Sequence, residues 1–356
     1  MDFLRIILTA PFISWKKCIF AADMTSHASR QNSAPGRSSS NIDNTELMHY
    51  SKKPLSIEEQ INRLEQRGLH FHDKKQAACY LHNISYYRLR AFTYPFQDNI
   101  HPSADHRFLR DDIDFKDIVD LYVFDRRLRN LVFNELEKIE IAIRTQLSLV
   151  YSVHHQDAFW YMDRKCYSKA PENSFLKLTN DVENDVERSN EDFIKHFKTK
   201  YDTPSMPPSW MSLEVVSFGT LSRLYKLLDK NAEKRYVARA FGIGDEDVFA
   251  NWLHAFSNLR NCCAHHSRIW NRRFVVHLKL PYNTIHPFLT RDSARTLKQN
   301  KLFVLLSAIK YIVDVVSPGN SFKQNLKTLM EDTHRLLSYK EMGFPADWEQ
   351  LPVWRG

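Results

Sequence analysis

Residues 245–273, DEDVFANWLHAFSNLRNCCAHHSRIWNRR, hold three side chains whose types and spacing suit phosphate chemistry: Arg260, Asn261 and His265. Cutting RNA without a metal needs a group to take the 2′-OH proton, an acid for the leaving 5′ oxygen, and positive charge on the phosphate. Histidine, with an unperturbed pKa near ~6.5, exchanges protons at neutral pH, and arginine is a permanently charged forked donor for phosphate oxygens. Asn261, one turn before His265, could fix the imidazole or donate to the phosphate. The spacing alone is weak evidence. With 16 His and 50 Lys plus Arg, an Arg followed a few positions later by His also arises by chance, as at Arg67 and His72, a pair crossed by Gly68. A solvated helix flank with an i,i+4 hydrogen bond is the bland reading of the same residues.

The element that must position them is a helix. Phe249, Trp252, Leu253, Phe256, Leu259 and Cys263 recur at three- and four-residue intervals and predict a buried stripe on a helix over Asp245–Asn271. Arg260 falls at one margin of that stripe, with Asn261 and His265 roughly 100° and 140° further round. His266 falls at the opposite margin, which favours His265 as the reactive imidazole. Arg268, Trp270, Arg272 and Arg273 follow at once. They suit neutralisation of, and stacking on, single-stranded RNA, although Trp270 fits a core position equally well.

The rest of the chain reads as helices too. Ser56 and Glu59 form a capping box before Ile57, Ile61 and Leu64, and Gly68 closes that helix. Helical patterning follows over Lys74–Phe92, ended by Pro95. Its aromatic and basic end, Tyr86 to Phe96 with Arg88 and Arg90, reads as core or as an RNA platform. The clearest helix runs from Phe115 to about Val153. It carries Glu140 and Arg144 as an i,i+4 pair: a surface ion pair by default, or a support that orients Arg260 or His265, with Asp125 and Arg126 as weaker candidates for that role. A polar stretch at about 167–208 reads as an insertion of exposed helices. Further helices are predicted over Leu213–Asp229, Glu233–Phe241, Ala294–Val316 and Ser321–Ser338.

Composition narrows the function classes. Only 8 of 356 residues are glycine, against an average near ~7%, and neither G-x-G-x-x-G nor G-x-x-x-x-G-K-[ST] occurs, so no nucleotide cofactor is expected. The formal charge of +8 favours a polyanionic partner. Five cysteines without a regular framework argue against disulfides, and adjacent Cys and His on one helix point in different directions, so no metal site is expected. G-x-S-x-G is absent, and Ser217, Phe218 and Gly219 do not make a serine-hydrolase turn. Residues 1–22 are apolar only in patches interrupted by Arg5, Lys16 and Lys17, and residues 23–46 are polar; together, residues 1–50 read as a disordered leader rather than a signal peptide. Leu302–Val316 is too short to span a bilayer and carries Lys310 and Asp314. The expectation is an intracellular, cytoplasmic protein that is not membrane-bound.

A family resemblance sharpens this reading. RNCCAHHSRIWNR resembles the active-site helix of HEPN proteins. KPLSIEEQINRLEQRGL, ISYYRLRAFTYPF, LYVFDRRLRNLVFNELEKIEIAIR, PPSWMSLEVVSFGTLSRLY and MGFPADW resemble, in order, landmarks of the Abi-like (AbiD/AbiF) branch of bacterial abortive-infection systems. The similarity runs from about Lys52 to Trp354. It implies an all-α, HEPN-type helical bundle with additional helices, spanning 51–356, and a metal-independent endoribonuclease in phage defence or a toxin role. It also places Arg260 and His265 at the catalytic positions, Asn261 at the supporting one, and a 2′,3′-cyclic phosphate on the product. Two motifs form one composite cleft in such proteins; this chain has one, so a homodimer is implied. A non-catalytic small-RNA-binding protein of a defence or toxin–antitoxin system, and a protein-interaction module, are the rival readings.

Overall fold

Ser56 starts α1 (Ile57–Gln66) through the expected capping box: its hydroxyl accepts from the Glu59 amide at 3.2 Å, and the Glu59 carboxylate accepts from the Ser56 amide at 2.6 Å. Gly68, at φ 94°, ends the helix in a left-handed turn in which the Leu69 amide donates to the Leu64 carbonyl and the Gly68 amide to Glu65. These observations come from a computed structural model that describes residues 51–281, 284–331 and 334–355. The expectations for residues 1–50 lie outside the described residues.

Lys74–Phe92 is not one helix. It forms α2 (Lys74–Ile84) and α3 (Tyr86–Thr93), broken at Ser85, which takes φ 69° and caps α3 by accepting from the Arg88 amide. A serine that caps competes with the helix it interrupts, and periodicity does not register that choice. α4 (Phe115–His155) is the spine, 41 residues and so roughly 60 Å long. Asp114 and Asp117 form its capping box, and Leu121, Leu128, Val132, Leu136, Ile139, Ile143 and Leu147 are buried along it. Each such side chain contributes on the order of 1.5–3 kcal/mol of burial free energy.

The polar stretch folds as α5 (Glu172–Arg188) and α6 (Asp192–Lys200). α5 is not merely an exposed helix: it lays Phe175, Leu178, Val182 and Val186 inward and packs on the next two helices, α7 (Ser209–Val215) and α8 (Phe218–Leu227). The single helix predicted over Leu213–Asp229 is likewise split, because Ser217 caps α8 through the Thr220 amide. There follow α9 (Ala232–Ala240), α10 (Glu246–Ala264), the short α11 (Arg291–Thr296), α12 (Leu302–Val316), α13 (Phe322–Glu331), and one-turn helices α14 (Tyr339–Met342) and α15 (Pro352–Arg355). Ala294–Val316 thus divides in two, and the helix expected to reach Ser338 does not include residues 334–338.

Among the described residues there is no strand, only isolated bridges, so the chain is all-α. α4 packs against α3, α7, α9, α10, α12 and α13, and α10 lies against α4, α8, α9 and α12. Every residue of α12 from Leu302 to Val313 is buried, and Lys310 near its end pairs with Asp314. Among the described residues no helix is long and apolar enough to cross a membrane.

Candidate active site

Asp245 caps α10 by accepting from the Asp247 and Val248 amides. The predicted stripe of Phe249, Trp252, Leu253, Phe256, Leu259 and Cys263 is buried. The opposite face exposes His254, Asn258, Asn261 and His265, at four-, three- and four-residue intervals and without a charged side chain among them. Burial pushes the Cys263 thiol up to about 12, which makes it a packing residue rather than a nucleophile.

The helix stops at Ala264, seven residues before the predicted Asn271. His265 is its C-cap, and its amide donates to the Asn261 carbonyl at 2.9 Å. His266 takes φ 57°; its amide donates to Cys263 at 3.1 Å and the Ser267 amide to Cys262 at 2.8 Å. This is the paired hydrogen-bond turn that Gly68 makes after α1, here built on a residue with a side chain, at a conformational cost of roughly 1–2 kcal/mol. His266 therefore leaves the helix altogether, and its assignment to the far margin of the apolar stripe is corrected. Both imidazoles are exposed. What singles out His265 is its place one turn above Asn261.

Arg260 is held against α4. Its side chain is 32% exposed; its Nε lies 3.6 Å from Glu140 Oε2, and its guanidinium carbon lies 5.9 Å from the Phe133 ring centroid. At 3.6 Å the contact with Glu140 is an ion pair and not a hydrogen bond, so the buried Nε has no hydrogen-bond acceptor. Glu140 is itself buried, and its Oε1 accepts from Arg144. Arg144 also donates to the Leu213 carbonyl and, at 2.8 Å, to that of Val216. The surface reading of Glu140 and Arg144 is thereby overturned. Arg144 bolts α4 to the α7–α8 junction, and Glu140 is fixed where its second oxygen meets Arg260.

The chain beyond His265 is fastened by Asp125, expected at most to orient Arg260 or His265. Asp125 of α4 is fully buried, and one of its oxygens accepts from the amides of both Ile269 and Trp270 at 2.9 Å, while the other pairs with buried Arg129. Burial pushes the Asp125 carboxyl up, against the opposing pull of Arg129 and the two amides. From α3, Arg88 Nη1 donates to the His266 carbonyl at 3.0 Å, and Arg268 returns the contact by donating to the Ala91 carbonyl. The turn carrying both histidines is thus clamped from α3 and from α4.

Comparison with known proteins places this frame. A family model described as Abi-like protein matches residues 79–271, from α2 to the residue before Arg272, more than half of the chain. The chain belongs to the Abi-like protein family. No curated protein and no solved structure matches it. In this Abi-like chain the matched span holds every contact just described: Arg88, Asp125, Glu140, Arg144, and the run from Arg260 to Trp270.

The expected RNA-binding residues do not all survive as such. Trp270 is 1% exposed and is a core residue, so it presents no face for a base. Arg268 is half-buried and committed to Ala91; burial lowers its pKa against the pull of Asp125. Arg88 is exposed but spends a donor on His266. Arg90 is half-buried, with Nη2 3.2 Å from His106 Nε2. Arg273 is exposed, and Arg272 lines a cavity of about 50 Å³ with Asn258, Cys262 and Val275 beside the outer face of α10.

Proposed function

We propose that this Abi-like protein is a HEPN-type, metal-independent endoribonuclease that acts in abortive infection as a defence effector or toxin. The observation that carries the reading is the end of α10: a partly exposed arginine backed by a buried carboxylate, with its Nη1 3.5 Å from the Oδ1 of exposed Asn261, and an exposed histidine one turn past that asparagine. Arg260 neutralises the phosphate as it gains charge. His265 takes the 2′-OH proton; the 2′ oxygen attacks phosphorus, the bond to the 5′ oxygen breaks, and a second imidazole returns a proton to that oxygen. The products are a 2′,3′-cyclic phosphate and a 5′-OH.

That second imidazole belongs to the partner's His265 in a homodimer. The uncharged face of His254, Asn258 and Asn261 supports such pairing, since charged residues are depleted at interface cores. Val275, 94% exposed beside that face, adds an apolar knob for a partner to cover. Membership in the Abi-like family supports the biological setting.

Glu140 acts in this scheme as a positioning residue. It holds Arg260 by charge, so Glu140→Gln keeps the shape and an acceptor for Arg144 while releasing Arg260. The turnover at saturating RNA is expected to fall roughly tenfold to a hundredfold, as small misplacements of a catalytic group do, with the helical circular dichroism unchanged. A variant that folds and turns over at the unmutated rate would remove Glu140 from the site.

A further inference from the structure

α3 carries a face that neither the core nor the Arg260–His265 end of α10 uses. Tyr87 is 82% exposed and Tyr94 48%, and Ala91 between them is exposed as well. At about 100° per residue the three fall within roughly 60° of one another. Tyr94 keeps helical backbone angles, φ −48° and ψ −42°, so the face continues through it. The other aromatic residues of this segment turn inward: Tyr86 accepts from Arg67 at 2.7 Å, and Phe92 packs edge-on to Tyr122 with centroids 5.4 Å apart. Arg88 and Arg90 flank the tyrosine face on its two sides, and the Arg90 guanidinium lies 5.9 Å from the Tyr94 ring centroid.

This face is tied to the candidate site. Arg88 reaches from α3 to the carbonyl of His266, and Arg268 reaches back to the carbonyl of Ala91, midway between the two tyrosines. α3 therefore cannot shift without moving the residue next to His265. A lone exposed tyrosine is ordinary. Two on one face, separated by a methyl group and flanked by cations, match what unpaired bases require: rings to stack on, and positive charge for the phosphates between them. A duplex keeps its base faces stacked on each other and offers the tyrosines none.

We infer that Tyr87 and Tyr94 form a stacking platform for the unpaired bases of single-stranded RNA that lie beside the phosphate held at Arg260 and His265. This deepens the nuclease reading and rests on it for the identity of the polymer, but it is measured by binding alone. The full chain carrying His265→Ala is titrated against a short fluorescein-labelled single-stranded RNA of mixed sequence and followed by anisotropy. Adding Tyr87→Ala or Tyr94→Ala is expected to weaken binding about tenfold each. Adding Tyr87→Phe and Tyr94→Phe leaves the affinity unchanged, because the ring faces remain, and duplex RNA of the same length is insensitive to either pair. Equal affinity with and without the alanine substitutions would overturn the platform even if the unmutated protein cuts RNA. Tyrosine-dependent binding by a protein that, unmutated, does not cut would uphold the platform and overturn the nuclease reading. Failure of the His265→Ala protein to bind single-stranded RNA would overturn the platform.

Discussion

Replacing His265 with alanine is expected to slow RNA cleavage by roughly 10²- to 10⁴-fold, the usual loss when general acid–base help is removed, and to abolish toxicity in cells. The fold should persist, because His265 is exposed and contributes to the end of α10 through its backbone amide. His266→Asn is the matching control. Asparagine tolerates the left-handed conformation that His266 adopts, and the Arg88 contact is to the carbonyl, so this variant keeps the turn and should keep cleavage. Cleavage rates of the two purified variants, read beside their circular dichroism, decide between the imidazoles. If His265→Ala cuts at the unmutated rate while His266→Asn does not, the assignment of the two is reversed.

Asp125→Ala should be among the most destabilising single changes in the chain. It strands buried Arg129 without its counter-ion and leaves the amides of Ile269 and Trp270 without their acceptor. Breaking a buried, hydrogen-bonded ion pair from one side costs about 3–5 kcal/mol, a large share of the roughly 5–15 kcal/mol that holds a domain folded. Denaturant unfolding followed at the helical band reads this directly, and a loss under about 1 kcal/mol would show that Asp125 is not the anchor described here. Asp125→Asn also removes the counter-ion of Arg129 but retains an acceptor for the two amides, so its loss of stability should be smaller than that of Asp125→Ala.

How much of this could be read from the residues differs element by element. The buried stripe of α10, the spine α4 and the cap at Ser56 follow from periodicity and a three-residue spacing, which are local properties. The breaks at Ser85 and Ser217 do not, because a serine within an apolar rhythm becomes a cap only when the packing of its neighbours turns the chain there. The end of α10 was hidden for a related reason. α1 announces its end with Gly68, whereas α10 ends the same way on His266, a residue type that carries no stop signal. Helical periodicity therefore does not apply to His266, which lies past the end of α10. Trp270 and Arg268 left the RNA-facing set because the chain folds back under Asp125 immediately after the turn.

One signal for that fold-back was present in the sequence. Asp125 lies four residues after Leu121 and three before Leu128, in the core-facing phase of α4, where a carboxylate must find buried partners. Arg129, Glu140 and Arg144 share that phase, which is why they are buried and paired rather than arrayed on the surface. Charged residues that fall in phase with an apolar stripe are thus better guides to this site than their number or their i,i+4 spacing.

The most direct test of the Arg260 and His265 chemistry is end-group analysis of a single-stranded RNA incubated with the purified protein in excess chelator. An arginine–histidine transesterification predicts undiminished cleavage, with 2′,3′-cyclic phosphate and 5′-OH termini. Cleavage that the chelator abolishes, or that leaves 3′-OH and 5′-phosphate ends, would contradict it.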